Sequence, residues 1–111
     1  MDNIKNDFYY VQKIAKDLSF IVEHIKGITK NEFTKNEVLQ DCMMFRLVQI
    51  SENSERLTVA FKQRYSEVPW REIKGMRNRL VHEYGNVDLQ VVYDTVTVDV
   101  PKILELLSGL M

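Results

Sequence analysis

Apolar residues recur at alternating spacings of three and four along most of this 111-residue chain, which is the periodicity of one face of an α-helix. The first stripe runs from residue 4 to residue 25 and consists of Ile4, Phe8, Val11, Ala15, Leu18, Val22 and Ile25. Gly27 follows it and is predicted to end the helix, because glycine adopts the left-handed conformation without a Cβ clash. A chain built on such stripes buries them by packing helix against helix.

A second helix is predicted to begin at Thr34-Lys-Asn-Glu37, which has the pattern of a capping box. Its apolar stripe is Leu39, Met43, Leu47, Ile50, Leu57 and Phe61. The polar run Ser51-Glu-Asn-Ser-Glu55 interrupts this stripe. Two interpretations remain open. The run is either a solvated face with small packing residues or a polar site against the middle of the helix.

A third helix is predicted from about Trp70 to about Tyr84, because Pro69 precedes it and proline is favoured at the first helical position. Trp70 is predicted to anchor the start of this helix or to lie in the core. Gly85 and Asn86 then mark the end of the helix.

Asp88 is predicted to cap a fourth helix, whose apolar stripe is Val92, Val96, Val100, Ile103, Leu107 and Leu110. A strand is the alternative between Val91 and Val100, where β-branched residues are frequent. The helix is preferred because the stripe continues beyond Pro101 and no partner strand is predicted elsewhere. The proline should kink or break this helix near Val100.

Together the segments predict an all-α protein, an antiparallel four-helix bundle with a kinked last helix and one domain over residues 1–111. With only 4 Gly and 2 Pro, the chain has too few turn signals for a β-sandwich or barrel. Its single cysteine excludes an internal disulfide framework and a multi-cysteine zinc site. The N-terminus has no apolar signal region and no apolar run could span a bilayer, so we expect a cytoplasmic location and no membrane partner.

Charge is distributed unevenly along the chain, although the formal net charge is −1. Residues 56–79 carry seven basic side chains against two acidic ones, a balance of +5. The remaining residues carry 8 basic and 14 acidic groups, a balance of −6. A solvated helix face explains such a segment, and so does a site for phosphate or nucleic acid.

The basic segment runs into Arg77-Asn78-Arg79-Leu80-Val81-His82-Glu83-Tyr84, whose side chains suit phosphodiester cleavage. Histidine gives or takes a proton near neutral pH. Arginine stays charged and can hold two phosphate oxygens at once. No metal is needed if the nucleophile is the 2′-hydroxyl of the RNA substrate.

Helix geometry complicates this interpretation, because Arg77 and His82 lie about 140° apart on a regular helix. His82 lies one turn from Asn78, whereas Arg77 lies beside Tyr84 at the edge of the apolar stripe that starts at Ile73. Either the helix unwinds before His82, or a second subunit brings the two groups together. An arginine that snorkels at a helix edge is the structural alternative.

The chain resembles the HepT-like toxins of the HEPN superfamily. Arg77-Asn78-x-x-x-His82-x-Tyr84 matches their R-x4-H-x-Y motif. The run from Trp70 to Asn78 is similar to their W-x-x-I-x-G-M-R-N sequence, and Val87-Asp88 and the proline in the last helix also fit. Many members have Gly-Glu in the second helix, where this chain has Ser51-Glu52. The glutamate is kept, and serine replaces the glycine that allows a close backbone approach.

This resemblance implies a homodimeric four-helix ribonuclease toxin in which the motifs of both subunits line one cleft. Arg77 and His82 would be the catalytic pair, supported by Asn78. Tyr84 would be the residue that a cognate minimal nucleotidyltransferase, the MntA-type antitoxin, modifies with AMP. The added phosphate and bulk would block the RNA phosphate site beside Arg77.

Several further residues are assigned from their positions alone. Arg71, Lys74 and Arg79 are candidate RNA-backbone contacts. Glu52 either forms an ion pair with Arg56, one helical turn away, or reaches the cleft. No cofactor is implied, and no metal site is expected, because the chain has two histidines, His24 and His82, and no local carboxylate pattern. Cys42 is expected to be a buried small hydrophobe, and His24 a surface or satisfied histidine.

Two other functions compete with the ribonuclease. One is a non-catalytic substrate- or nucleotide-binding subunit of a two-component nucleotidyltransferase, since proteins of that kind share this helical architecture. The other is a plain helical interaction protein, for which neither the motif nor Tyr84 would matter. RNA cleavage by the purified chain separates the first function from both alternatives.

Overall fold

Helix α1, Asp7–Ile25, begins where the Asn6 side chain accepts a hydrogen bond from the backbone N–H of Tyr9. This computed structural model describes residues 6–109, apart from the side chain of Tyr84. The helix ends just before Gly27, whose φ of 76° confirms its role as terminator.

The buried face of α1 comprises Val11, Ile14, Ala15, Leu18, Ile21 and Ile25. Phe8 is 55% exposed, so its predicted place in the buried stripe is wrong. It lies about 80° around the helix from Leu18 and therefore off the buried face. Ile4 and Leu110, predicted to begin the first stripe and to end the last, lie outside the described residues.

The capping box lies earlier in the chain than the sequence predicts. Thr29 and Glu32 form it at the start of α2, Lys30–Thr34. The backbone N–H of Thr29 holds the pKa of the Glu32 carboxyl below its usual value, and the Thr29 hydroxyl adds to this effect. Thr34 belongs to the last turn of α2, where its hydroxyl donates to the Asn31 carbonyl, so the predicted box from Thr34 to Glu37 is wrong.

Helix α3, Glu37–Ser54, is capped by the Asn36 side chain. It ends within the polar run instead of continuing to Phe61, because the chain turns after Ser54 and resumes as α4, Val59–Arg64. The polar run therefore lies at the end of a helix and not at its middle. Leu57 remains buried in the turn, which keeps the apolar stripe continuous across the break.

Helix α5, Trp70–His82, follows Pro69, which occupies the N-cap position. The Trp70 indole donates a hydrogen bond to the Tyr65 carbonyl at 3.1 Å and packs against the core, which confirms its anchoring role. The helix is two residues shorter than predicted, since Glu83 leaves the helical conformation and Tyr84–Asn86 form a 3₁₀ turn.

The final segment is helical, as predicted, and Asp88 caps it. Helix α6, Leu89–Asp94, and helix α7, Val100–Ser108, are joined by a π-helical stretch, Thr95–Asp99. This stretch ends at Asp99, two residues before Pro101, which has no N–H for the preceding turn. The backbone stays helical from the π-helical stretch into α7, so Pro101 does not break the helix near Val100, and the predicted kink stays a prediction. The described residues include no strand.

The long helices pack antiparallel around one core. Asp7 accepts two hydrogen bonds from Thr58 just beyond α3, while Asp17 pairs with Arg46 midway along it. The Tyr93 hydroxyl donates to the Ile28 carbonyl at 2.6 Å, so the end of α1 meets the start of the last segment. Fully buried side chains in the core include Ile14, Leu18, Ile21, Phe33, Met43, Leu80, Val92, Val96 and Leu107.

The predicted all-α bundle is thus confirmed, with α2 and α4 as short additions to its four long members. Within residues 6–109, none of the helices combines the length and the apolar composition that a bilayer crossing requires.

The Asp17–Arg46 pair is expected to carry a large share of the stability between α1 and α3. Arg46 Nη1 lies 2.7 Å from Asp17 Oδ1, which is buried, and its guanidinium lies 3.7 Å from the Phe20 ring centroid. Arg46→Met would leave the buried carboxylate unpaired, and we expect a loss of about 2–3 kcal/mol in urea unfolding. The double variant Asp17→Leu with Arg46→Met should recover most of that loss. An unchanged urea midpoint in Arg46→Met would contradict the assignment.

Candidate active site between helices α3 and α5

The Arg77 side chain is held at the contact between α3 and α5. Its Nε donates to Glu52 Oε1 at 2.8 Å, and its Nη1 donates to Asn78 Oδ1 at 3.3 Å. These two bonds use two of the five guanidinium N–H groups. The side chain remains 37% exposed, so the other donors can reach a ligand from solvent.

The pairing of Glu52 with Arg77 corrects the predicted ion pair between Glu52 and Arg56. Because α3 ends at Ser54, Arg56 is not one helical turn beyond Glu52. The alternative that Glu52 reaches the candidate site agrees with this geometry.

A second charge cluster lies one turn along the same contact. Lys74 Nζ and Lys62 Nζ each lie 3.5 Å from a carboxylate oxygen of Glu55. Glu55 is a contact that the sequence motifs do not reveal. The usable signal was a pair of acids three residues apart, at the end of α3 and at its C-cap, facing a pair of cations three residues apart on α5. Such pairs match when the helices are antiparallel.

Small polar residues fill the interior side of this part of α3. Ser51 is 1% exposed, and its hydroxyl has no hydrogen-bond partner among the described residues. Ser54 is equally buried and donates to the Ile50 carbonyl at 2.7 Å. The serines of the polar run pack inward, as the first interpretation predicts, while Glu52 and Glu55 meet cations of α5. A polar site at this place lies against the end of α3 and not against its middle.

His82 and Asn78 lie exposed on α5, one turn apart on the same face. The helix is continuous up to His82, so the alternative that it unwinds before this residue is wrong. No hydrogen bond joins Arg77 to His82, and His82 has no hydrogen-bond partner within the described residues. Asn78 is the link, since it contacts the guanidinium and shares the face of His82.

The side chain of Tyr84 lies outside the described residues, so its predicted position beside Arg77 stays a prediction. The helical spacing that suggested this position requires α5 to continue through Tyr84. Helix α5, however, ends at His82. Any approach of the two side chains depends instead on the 3₁₀ turn, Tyr84–Asn86.

The remaining predicted residues differ in their surroundings. Arg71, Lys74 and Arg79 are all exposed on α5. His24 Nδ1 lies 2.9 Å from the Phe20 carbonyl and its ring stacks on Phe20, which confirms a satisfied surface histidine. Cys42 is only half-buried. No group of three potential metal ligands occurs among the described residues.

The amino-acid sequence matches a known protein family. A family model described as "Ribonuclease HepT-like" matches residues 14–110. The chain belongs to this family. The HepT-like match begins within α1, covers the other long helices and includes all candidate site residues, from Glu52 to Tyr84.

Curated relatives of this HepT-like chain carry ribonuclease names. It is 34% identical over 94 residues to "Putative RNase TTE0752" of Caldanaerobacter subterraneus subsp. tengcongensis, covering 85% of this chain and 84% of that protein. It is 33% identical over 101 residues to "Putative RNase MJ1380" of Methanocaldococcus jannaschii, covering 91% and 90%. It is 33% identical over 94 residues to "Probable ribonuclease HepT" of Thermococcus cleftensis, covering 85% and 86%. The family and these names indicate a ribonuclease, and no solved structure matches the chain significantly.

The Glu52–Arg77 pair is expected to orient the guanidinium more than it stabilises the HepT-like fold. Both side chains are partly exposed, and pairs of this kind are worth less than about 1 kcal/mol. A double-mutant cycle of Glu52→Ala and Arg77→Ala in urea unfolding should give a coupling energy below that value. The same cycle on Asp17 and Arg46 should give a clearly larger one. Equal coupling energies in the two cycles would contradict this distinction.

Proposed function

We propose that this chain is an endoribonuclease toxin that cleaves RNA without a metal ion, with Arg77 and His82 as its catalytic residues and Asn78 supporting them. The observation that carries the proposal is the placement of the partly exposed Arg77 guanidinium between Glu52 and Asn78, the residue that shares a helix face with His82. The match to a ribonuclease family supports the same reaction class.

The reaction is an internal transesterification. The 2′-hydroxyl oxygen of the RNA attacks the adjacent phosphorus, a new P–O2′ bond forms and the P–O5′ bond breaks. A histidine accepts the proton of the attacking hydroxyl, and an acid returns one to the leaving 5′-oxygen. Arg77 stabilises the charge that develops on the phosphoryl oxygens. The products are a 2′,3′-cyclic phosphate and a 5′-hydroxyl end.

A second copy of the chain fits the surface around this site. Glu52 and Arg77 join the outward face of α3 to that of α5. Two turns before Glu52 on that face of α3 lies Phe45, which is 61% exposed, and one turn after Arg77 on α5 lies the exposed Val81. Exposed apolar side chains flanking a catalytic group support a homodimer whose two motifs share one cleft.

Exposed basic side chains supply the electrostatic attraction for RNA. Arg71 and Arg79 have no ion-pair partner in the described part of the chain, whereas Lys74 is shared with Glu55. In this proposal they contact the RNA backbone and contribute affinity without reading sequence.

Control of the toxin is proposed to act through Tyr84. A cognate nucleotidyltransferase antitoxin would transfer AMP to the phenolic oxygen, adding a negative phosphate to the basic end of α5. This part rests on the family membership and on the R-x4-H-x-Y spacing. The proposal assigns both the toxin and the antitoxin to the cytoplasm, where they would meet.

Cleavage should persist in EDTA and yield 2′,3′-cyclic phosphate ends. We expect Arg77→Ala and His82→Ala each to reduce cleavage by about 100-fold or more, because each removes a group that acts on the reacting atoms. Gel assays on single-stranded RNA with end-group analysis measure both effects.

His24→Ala is the matched control for that assay, since His24 is the other histidine of the chain and its Nδ1 is already bonded within α1. It should cleave like the unmodified protein. Retained cleavage in both Arg77→Ala and His82→Ala would contradict the site. No cleavage by the unmodified chain, with a stable complex to a small nucleotidyltransferase, would favour the non-catalytic subunit.

Phe45→Asp should convert the dimer into monomers and abolish cleavage, because the new carboxylate would be buried between the subunits. Analytical ultracentrifugation measures the oligomeric state. Val59→Asp is the control, since Val59 is 70% exposed on α4 and should leave both dimer and cleavage intact. A monomeric unmodified chain that cleaves RNA would contradict the shared cleft.

Co-production of the chain with its cognate nucleotidyltransferase antitoxin should add AMP to Tyr84 and abolish cleavage. Intact-mass and peptide mass spectrometry would locate the modification, and Tyr84→Phe should remain unmodified and active. An inactive complex in which Tyr84 carries no AMP would overturn this mode of control.

A further inference from the structure

A depression of about 380 Å³ lies between the start of α1 and the end of α3, and Glu52 forms part of its wall. Since Glu52 also binds Arg77, the depression directly borders the candidate active site. Its other lining residues are two tyrosines, two cations and two amides. Its volume is in the range of pockets that hold a small organic group.

The aromatic part of the wall is Tyr9 supported by Tyr10. Their ring centroids lie 5.1 Å apart at an interplanar angle of 85°, so Tyr10 braces Tyr9 through an edge-to-face contact. Tyr9 remains 37% exposed. A braced and partly exposed ring is a stacking platform for a nucleobase, and aromatic platforms are how proteins hold unpaired RNA bases.

The amide part of the wall is Gln49 and Asn53, both half-buried on α3. Asn53 Nδ2 donates to the backbone carbonyl of Gln49 at 3.0 Å, which restricts the orientation of the Asn53 side chain. Side-chain amides both donate and accept, so they can bond to the edge of a base held against Tyr9.

The charge of the depression favours a phosphate-bearing ligand. Lys13 and Arg56 line it, and neither is in an ion pair with a described residue. Lys13 Nζ lies 5.5 Å from the Tyr9 ring centroid, which places a cation at the stacking platform. The negative charge of Glu52 is balanced by Arg77.

We propose that this depression is a subsite for one unpaired base of the RNA, next to the phosphate held by Arg77. Tyr9 stacks on the base, Gln49 and Asn53 contact its edge, and Lys13 and Arg56 contact the flanking phosphates. The inference rests on the proposed function for the position of the scissile phosphate. It adds the requirement that the substrate be single-stranded at this nucleotide, because a base in a duplex cannot enter the depression.

Binding of a non-cleavable oligonucleotide tests the subsite independently of catalysis. The probe is a fluorescein-labelled single strand with 2′-fluoro sugars, which lacks the attacking hydroxyl, and the readout is fluorescence anisotropy with the full chain. We expect Tyr9→Leu to weaken binding about tenfold through loss of stacking. Tyr9→Trp should retain binding, since it keeps an aromatic face.

Phe8→Leu is the matched control. Phe8 is the neighbouring aromatic residue, it is 55% exposed, and it does not line the depression. It should bind like the unmodified chain. An equal loss in Phe8→Leu and Tyr9→Leu would overturn the assignment, because the effect would then not come from the depression.

An abasic series identifies the base that stacks. Oligonucleotides with one base removed at a time should include one position at which the unmodified chain loses about tenfold in affinity and Tyr9→Leu loses no more. Equal losses in both proteins at every position would overturn the subsite. A shift of Tyr9→Leu to monomers would also overturn it, since the depression would then belong to the dimer interface.

The outcomes separate this inference from the proposed function. If cleavage depends on Arg77 and His82 but is unchanged by Tyr9→Leu, the subsite is contradicted and the proposed function is not. Coupling between Tyr9 and one base in a chain that does not cleave RNA would remove the nuclease mechanism and keep the subsite.

Discussion

Helix α3 packs against α1 along one side and against α5 along the other, and the candidate site depends on this placement. Packing on two sides buries polar as well as apolar residues. Gln40 is satisfied by the Phe33 carbonyl and Ser54 by the Ile50 carbonyl, which offsets the cost of burying these two polar groups. The Ser51 hydroxyl is buried without a partner among the described residues and does carry that cost. What remains outside is a narrow edge, and Phe45, Gln49 and Glu52 occupy it. The partner of Arg77, the proposed dimer contact and one proposed base contact therefore lie on one edge of one helix.

The two arginine–carboxylate pairs of α3 show how burial changes the role of the same chemistry. Arg46 pairs with the buried Asp17, so removing either partner leaves the other charge without compensation and destabilises the fold. Arg77 meets a half-exposed Glu52, where water screens the attraction. The first pair joins two helices, whereas the second fixes the direction of a guanidinium that keeps free donors for a ligand.

Periodicity predicted the helical class, the terminator at Gly27 and the cap at Asp88, because each of these depends on residues close together in the chain. It failed where two local signals competed. Thr29-x-x-Glu32 and Thr34-x-x-Glu37 both have the pattern of a capping box. The structure uses the first, and Thr34 lies in the last turn of that helix next to the buried Phe33. The motif located Arg77 and His82. The pairing of Arg77 with Glu52, however, joins two helices through residues that are 25 positions apart in the chain. Such contacts require the tertiary arrangement, since helical spacing relates residues only within one helix.

The π-helical stretch before Pro101 bears on how the length of this family can vary. Val92, Val96 and Val100 follow one another every four residues, and all three are fully buried. On a regular α-helix that spacing would drift by about 40° at each step, but the wider turn keeps the three residues on one face. The π-helical stretch thus contains one residue more than an α-helix of the same length. A single-residue insertion into an α-helix would have the same effect on the backbone. A relative one residue shorter at this point would keep the same buried face on an ordinary helix, so single-residue gaps between family members are compatible with an unchanged core here.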